Sequence, residues 1–169
     1  PIDLAWGPDG KLWVVEMTDY PLGIDDNGKV GGRVRFLEDK DQDGRYETSS
    51  LFLEGLRYPT SVMAWRKGAL VLAAPDLLYA EDTTGDGKAD KFTVFVDKLS
   101  VPTSFLFSND GVIVIHSGRT EFFKDTDGDD RADESKILFT GWGTRDTHAT
   151  ASNLRYGFDN WVWGTVGYS

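Results

Sequence analysis

The stretch DKDQDGRYE, residues 39–47, decides the fold because it comes back. DTTGDGKAD (82–90) and DTDGDDRAD (125–133) repeat its pattern, and Asp39, Asp82 and Asp125 stand 43 residues apart. A fixed period in the forties, with no helical pattern in it, marks a repeated all-β unit. Other landmarks keep the same step: Pro59-Thr60-Ser61 returns as Pro102-Thr103-Ser104, and Lys67-Gly68 falls opposite Asp110-Gly111. The repeat is a whole structural unit in which the acidic loop has a fixed place.

Each unit reads as four short strands. The first holds IDLAW (2–6), KLWVVEM (11–17), RVRFLE (33–38) and SSLFLEGL (49–56). The second holds SVMAW (61–65), ALVLAA (69–74), LLYAE (77–81) and KFTVFVDKL (91–99). The third holds SFLF (104–107), VIVIH (112–116), EFFK (121–124) and SKILFTG (135–141), and a fourth opens with NLRYG (153–157) and WVWGTV (161–166). Short runs of β-branched and aromatic residues between Gly, Asp and Asn turns are strand signals. Four antiparallel strands per unit at this period predict an all-β fold, a β-propeller of four-stranded blades. One domain, 1–169, then carries blades at about 1–58, 59–101 and 102–147 and an incomplete blade at 148–169. Three and a half blades do not close a ring of roughly four to eight. Remaining blades of a longer chain, or self-association, are expected to complete it. Trp6, Trp13, Trp65, Trp161 and Trp163 fall at matching strand positions and are expected as core between blades.

The 169 residues carry a net charge of −10, which argues against a nucleic-acid partner, since that needs a basic footprint. With no cysteine, disulfides, thiolate metal sites and covalent haem attachment are excluded within this sequence. No apolar run approaches the roughly 20 residues of a membrane span.

The acidic loops fit calcium. Ca²⁺ takes six to eight oxygens, and side chains at positions 1, 3 and 5 of a tight loop converge on one ion. Loop one offers Asp39, Asp41 and Asp43, the backbone carbonyl of Arg45, and Glu47 at position 9. Loop two offers Asp82, Thr84, Asp86, Lys88 and Asp90, and loop three Asp125, Asp127, Asp129, Arg131 and Asp133. Gly44 and Gly87 supply a sharp turn at position 6, where loop three has Asp130, a residue that tolerates the left-handed conformation. The plain alternative is three Asp-rich hairpin turns.

In an up-and-down sheet the first-to-second and third-to-fourth connections share one end. The acidic loops therefore sit opposite the insertion TDYPLGIDDNGKVGG (18–32), GLRYPT (55–60), APD (74–76), HSGR (116–119) and GWGTRDTHATAS (141–152). A long insertion in a regular repeat shapes a binding face. On this end His148 is a candidate general base. Arg57, Arg119, Arg145 and Asn153 are candidates for holding an anionic cofactor or a sugar-like ligand. His116 ends a strand and is expected to pack or hydrogen-bond.

Three stretches, AWGPDGKLWVVEMTDYP (5–21), GLRYPTSVMAWRKGALVLAAPDLLYAEDTTGDGKAD (55–90) and HATASNLRYGFDNWVWG (148–164), carry a resemblance. The chain resembles the bacterial membrane-bound dehydrogenase propellers, relatives of the soluble PQQ-dependent sugar dehydrogenases. The resemblance implies a six-bladed ring, a periplasmic or extracellular and membrane-associated location, and PQQ as cofactor. It also implies a sugar or alcohol substrate and a cytochrome c electron acceptor, often a fused haem domain. It places His148 where those enzymes have a base just before a Gly-Gly-Arg-Leu-like strand. Ala151-Ser152 stand here in place of the glycine pair. Three functions are carried forward: a PQQ-dehydrogenase-like propeller with calcium-braced turns, a non-catalytic propeller binding carbohydrate or protein, and a calcium-dependent adhesion or assembly module.

Overall fold

The computed structural model describes residues 1–25 and 27–167, so of the insertion 18–32 only Asp26 lies outside the description. All fourteen expected strands are present, and among the described residues there is no helix. The first sheet runs β1 (Asp3–Trp6), β2 (Leu12–Glu16), β3 (Gly32–Glu38) and β4 (Thr48–Leu56) in spatial order. The second has β5 (Pro59–Trp65), β6 (Gly68–Ala73), β7 (Asp76–Glu81) and β8 (Lys91–Val96). The third has β9 (Ser104–Ser108), β10 (Gly111–His116), β11 (Arg119–Lys124) and β12 (Glu134–Thr140). A two-stranded hairpin of β13 (Ser152–Tyr156) and β14 (Val162–Thr165) follows. Strand order equals chain order throughout, as tight antiparallel connections require.

Two compact units emerge, one of Pro1–Ala73 with Leu77–Thr93, the other of Ala74–Asp76 with the chain from Val94 onward. In the first unit Trp13, Val15, Val34, Phe36, Phe52, Val62, Val71 and Ala80 make one apolar cluster. Burial follows strand period: β3 alternates buried and half-buried positions, whereas β6, GALVLA, is buried on both faces and reads as a continuous apolar run. In the second unit Phe105, Val112, Val114 and Leu154 are buried, while the outer strand β12 is almost wholly exposed.

Strand ends shift from expectation by a residue or two, with one larger change. β8 ends at Val96, not at Leu99, because Lys98 takes φ 59° and leaves the extended region. The Leu99 N–H then donates to the Pro75 carbonyl at 2.7 Å.

The tryptophans correct the expectation of a shared core. Trp13 is buried, packed edge-on to Phe52 at 4.8 Å between centroids. Trp6, Trp65, Trp161 and Trp163 are exposed, at 67%, 37%, 72% and 60%. Trp163 stands to Asp159 and Gly157 as Trp13 stands to Asp9 and Gly7. Its hairpin has only two strands, however, so nothing plays the part of Phe36 and Phe52 over its ring. The difference between these two rings lies in their neighbours, which local sequence does not encode.

The repeated Pro-Thr-Ser motif has a mechanical explanation. Thr60 Oγ donates to Leu72 O and Thr103 Oγ to Ile115 O, each tying the first strand of a sheet to the second. Each serine reaches the neighbouring sheet. Ser61 Oγ donates to Asp3 Oδ2 at 2.6 Å, and Ser104 Oγ accepts the Leu154 N–H at 2.9 Å.

Gly68 and Gly111 open the second strands of their sheets. A Cβ at Gly68 would lie 1.9 Å from the Ala80 carbonyl oxygen, and one at Gly111 would lie 2.4 Å from that of Phe123. Backbone cannot yield as a side-chain tip can, so Gly68→Ala and Gly111→Ala should each lower the unfolding free energy by about 1–3 kcal/mol, the usual cost of overpacking. Urea titration of the two variants checks this, and a change within error of zero at both positions would show that the strands can part at no cost.

Candidate functional site

The three acidic loops have one architecture. The position-1 carboxylate spans two backbone amides. Asp39 accepts from Asp43 and Gly44, Asp82 from Gly85 and Gly87, and Asp125 from Gly128 and Asp130. The position-5 carboxylate accepts the amide two residues on: Asp43 from Arg45, Asp86 from Lys88, Asp129 from Arg131. Position 9 reaches back to the amide of position 2, Glu47 to Lys40, Asp90 to Thr83 and Asp133 to Thr126.

Such a tight coil needs left-handed backbone at positions 4 and 6. Those places have φ 61° and 90° at Gln42 and Gly44, 82° and 85° at Gly85 and Gly87, and 85° and 66° at Gly128 and Asp130. Asp130 thus occupies the left-handed conformation expected of it. Position 4 carries the same requirement, which the spacing of acids alone did not reveal.

The loops differ in their donors. Oxygens of Asp39, Asp41, Asp43 and Glu47 converge within 4.8 Å of one another, as do those of Asp125, Asp127 and Asp133. Asp129 is not in the second group, and loop two forms no such group. Its third position is Thr84, whose hydroxyl donates to Asp82 Oδ1 at 3.3 Å and leaves one carboxylate fewer to gather. Fixed amides also act on acidity: the Gly87 N–H, then that of Gly85, hold the Asp82 carboxyl below its ordinary 3.8, and the Gly128 and Asp130 amides do the same for Asp125.

Loops two and three also grip the preceding outer strand. In the first unit the Ala89 N–H donates to Phe52 O of β4 at 2.9 Å, and Gly87 lies against the Phe36 ring. In the second unit the Ala132 N–H donates to Phe95 O of β8 at 2.8 Å. An ordered loop therefore orders the junction beside it.

At the other end of the first unit the insertion folds onto the β4–β5 connection. Tyr58 Oη donates to Pro21 O at 2.8 Å, Tyr58 N–H reaches Asp19 Oδ2, and the Tyr20 and Tyr58 rings meet edge to face. Arg57 is exposed, with its guanidinium 5.8 Å from the Tyr58 ring. In the second unit the loop 141–151 lies on the β10–β11 turn, where the Trp142 N–H donates to Gly118 O. His148 is exposed, and both its backbone N–H and its Nδ1 meet Asp146 Oδ1, at 2.9 and 3.2 Å. Arg145 and Asn153 are exposed as well. Arg119 is committed inward, its Nε 2.8 Å from Glu121 Oε2.

His116 packs and hydrogen-bonds, as expected of it: it is buried, with Nε2 3.1 Å from Glu121 Oε2. Glu121 was not legible as a partner. Its signal was a carboxylate two residues from Phe123 in the strand RTEFFK, paired across the sheet with Val114.

PQQ is a multiply charged anion and needs converging cations. In the second unit Arg119 is held by Glu121, and cavities of about 10 and 250 Å³ are lined by none of Arg119, Arg145, His148 or Asn153. In the first unit Arg57 lies against Tyr58. These residues do not form a cradle for the quinone within either unit.

The chain belongs to the family described as a domain of unknown function, DUF7133, which matches residues 1–92 and 81–169. No curated protein matches it.

Two predictions arise here. Gln42→Gly relieves about 1–2 kcal/mol of left-handed penalty against about 0.5–1 kcal/mol of glycine's chain entropy, so it should stabilise by about 0.5–1 kcal/mol in denaturant titration. Burial pushes the His116 imidazole below its ordinary 6.5, against the opposing hydrogen bond to the Glu121 carboxylate. Because the folded pKa is depressed, the stability it contributes is present above 6.5 and lost as pH falls through the folded value. An NMR titration should find the His116 midpoint below 6.5, with unfolding free energy declining over that window; a midpoint above 6.5 contradicts it.

Proposed function

We propose that this DUF7133 chain supplies blades of a PQQ-dehydrogenase-like propeller acting on a sugar or alcohol, with Ca²⁺ in the acidic loops as a brace and not as a catalyst. The observation that carries it is loop three, whose carboxylate oxygens converge and whose Ala132 N–H also holds the neighbouring outer strand. Loops with converging carboxylate oxygens stand at one end of their sheets, and the same loop architecture grips the neighbouring outer strand through Ala89 and Ala132. A divalent ion that neutralises crowded carboxylates holds such a loop in its gripping form. Chemistry is then left to the opposite ends of the sheets, where the insertion and Tyr58 lie in the first unit and the loop 141–151 in the second.

On that end His148 has the geometry of an oriented base. Asp146 on Nδ1 fixes the tautomer, which makes Nε2 the nitrogen that takes the proton of a bound hydroxyl. Arg119 is held by Glu121 and Arg57 lies against Tyr58, so the residues present do not cradle the quinone. A periplasmic or extracellular location, a cytochrome c acceptor and ring closure by further blades or a second copy belong to the same proposal. The exposure of His148 favours a second function, a non-catalytic propeller that binds carbohydrate or protein on this face.

Calorimetry and thermal unfolding of the chelator-treated protein on adding Ca²⁺ provide the test. Binding to the folded state should raise the midpoint, with about 2.7 kcal/mol of stabilisation at a hundredfold excess over Kd. Asp41→Asn with Asp127→Asn should remove most of the response. No binding, or binding that the double variant leaves intact, defeats the calcium brace and with it an adhesion role on that face. In the ring-closed protein with PQQ and substrate, His148→Ala should cut turnover about 10²–10⁴-fold, the usual contribution of a general base, and leave the calcium response unchanged. Retained ligand binding with no turnover in either protein selects the non-catalytic function.

A further inference from the structure

The second unit contains a buried polar centre that the proposed function does not use. His116 is 3% exposed and Glu121 7%. Glu121 Oε2 lies 3.1 Å from His116 Nε2 and 2.8 Å from Arg119 Nε, so one carboxylate is shared by an imidazole and a guanidinium. The Arg119 charge balances that of Glu121, and the imidazole is left to be neutral. Arg119 Nε also directs its N–H at Nε2, at 3.4 Å, but the Glu121 carboxylate is nearer, at 3.1 Å, and places the ring proton on Nε2, which leaves the other nitrogen as an acceptor. That other nitrogen, Nδ1, is buried and has no hydrogen-bond partner among the described residues. An unmet buried acceptor costs about 1–3 kcal/mol, so its persistence needs an occupant.

The ring lines a cavity of about 10 Å³ with Thr103, Gly118, Trp142, Thr144 and Thr150. That is room for about one water-sized group, which needs on the order of 10–15 Å³ and two to four polar partners. Thr103, Thr144 and Thr150 share this wall, and the Thr103 hydroxyl proton is already given to Ala151 O at 2.6 Å. Trp142 forms part of the wall and is fixed there, its Nε1–H donating to Thr120 Oγ1 at 2.8 Å.

We propose that His116 Nδ1 is the acceptor of a single-hydroxyl site, taking an O–H from one group seated in this cavity beneath the loop 141–151. The group is either a resident water or the hydroxyl of a ligand that reaches under that loop. Burial, which pushes His116 below its ordinary pKa, agrees with an unprotonated Nδ1 at neutral pH. The site stands apart from calcium, PQQ and His148, and the failure of those leaves it untouched.

The test is NMR of the ¹⁵N-histidine-labelled chain. With only two histidines, His148→Ala assigns both rings without altering His116. The expected spectrum shows the His116 proton on Nε2, Nδ1 shifted as a hydrogen-bond acceptor, and a cross-peak from the ring to a long-lived water. If saturating D-glucose abolishes the water cross-peak while Nδ1 remains an acceptor, the site takes a ligand hydroxyl. If the cross-peak persists, the occupant is water. Either result supports the acceptor site. A proton on Nδ1, or an Nδ1 with no hydrogen-bond shift, overturns it.

Discussion

An outer strand leaves backbone groups without partners along its free edge, and this structure meets part of that demand from the acidic loops. β4 and β8 end their sheets, and the carbonyls of Phe52 and Phe95 take the amides of Ala89 and Ala132. An edge carbonyl met in this way no longer templates a stray strand. Much else is subordinate to that contact. In loops two and three the chain must coil tightly enough to aim position 8 at the neighbour, so positions 4 and 6 turn left-handed, and the first carboxylate binds their amides to keep the coil wound. Ala at positions 89 and 132 is small enough to approach a backbone, and Ala89 also packs against the apolar cluster of its unit. Loop one has Tyr46 at the same place, and its ring lies against Trp6, 5.9 Å between centroids.

The division of labour between the two ends of each sheet follows from chain order. Hairpin connections alternate ends, so a motif confined to the third-to-fourth connection always emerges on the same side as the first-to-second turn. Short turns and wound acidic loops stiffen that side. In the first unit the other end carries the insertion between β2 and β3 and Tyr58, and in the second unit it carries the loop before β13, His148 and the buried His116–Glu121 pair. Rigid scaffold at one end with variable loops at the other is the usual arrangement by which a repeat fold acquires a ligand.

The 43-residue period made the strands legible. It fixed how many there were, their order and the place of the acidic loops, because a β-strand of five residues advertises itself by its side chains and its turns. The left-handed residue at position 6 was also legible, in Gly44, Gly87 and even Asp130. Position 4 was legible only in Gly85 and Gly128, since Gln42 in loop one gives no hint of positive φ. The tryptophans were misread for a different reason: Trp13 and Trp163 share a local motif, and only the presence of β3 and β4 buries the first. At the candidate site, His116 was legible as a packed residue but Glu121 and Arg119 were not legible as its partners. Their pairing depends on the β10–β11 register, Val114 opposite Glu121 and His116 opposite Arg119, which a sequence pattern does not number. The Asp3–Ser61 clamp spans two sheets, and only the serine half announced itself, through repetition.

The grip between sheets has a direction. In both instances the donor, Ala89 or Ala132, lies later in the chain than the carbonyl it binds, at Phe52 or Phe95. During synthesis from the N-terminus, each outer strand is made before the acidic loop that fastens onto it, and its edge stays open until that loop emerges. The polypeptide is thus laid down like overlapping shingles, each course fastened onto the one before, and an interruption in translation leaves the last edge unfastened.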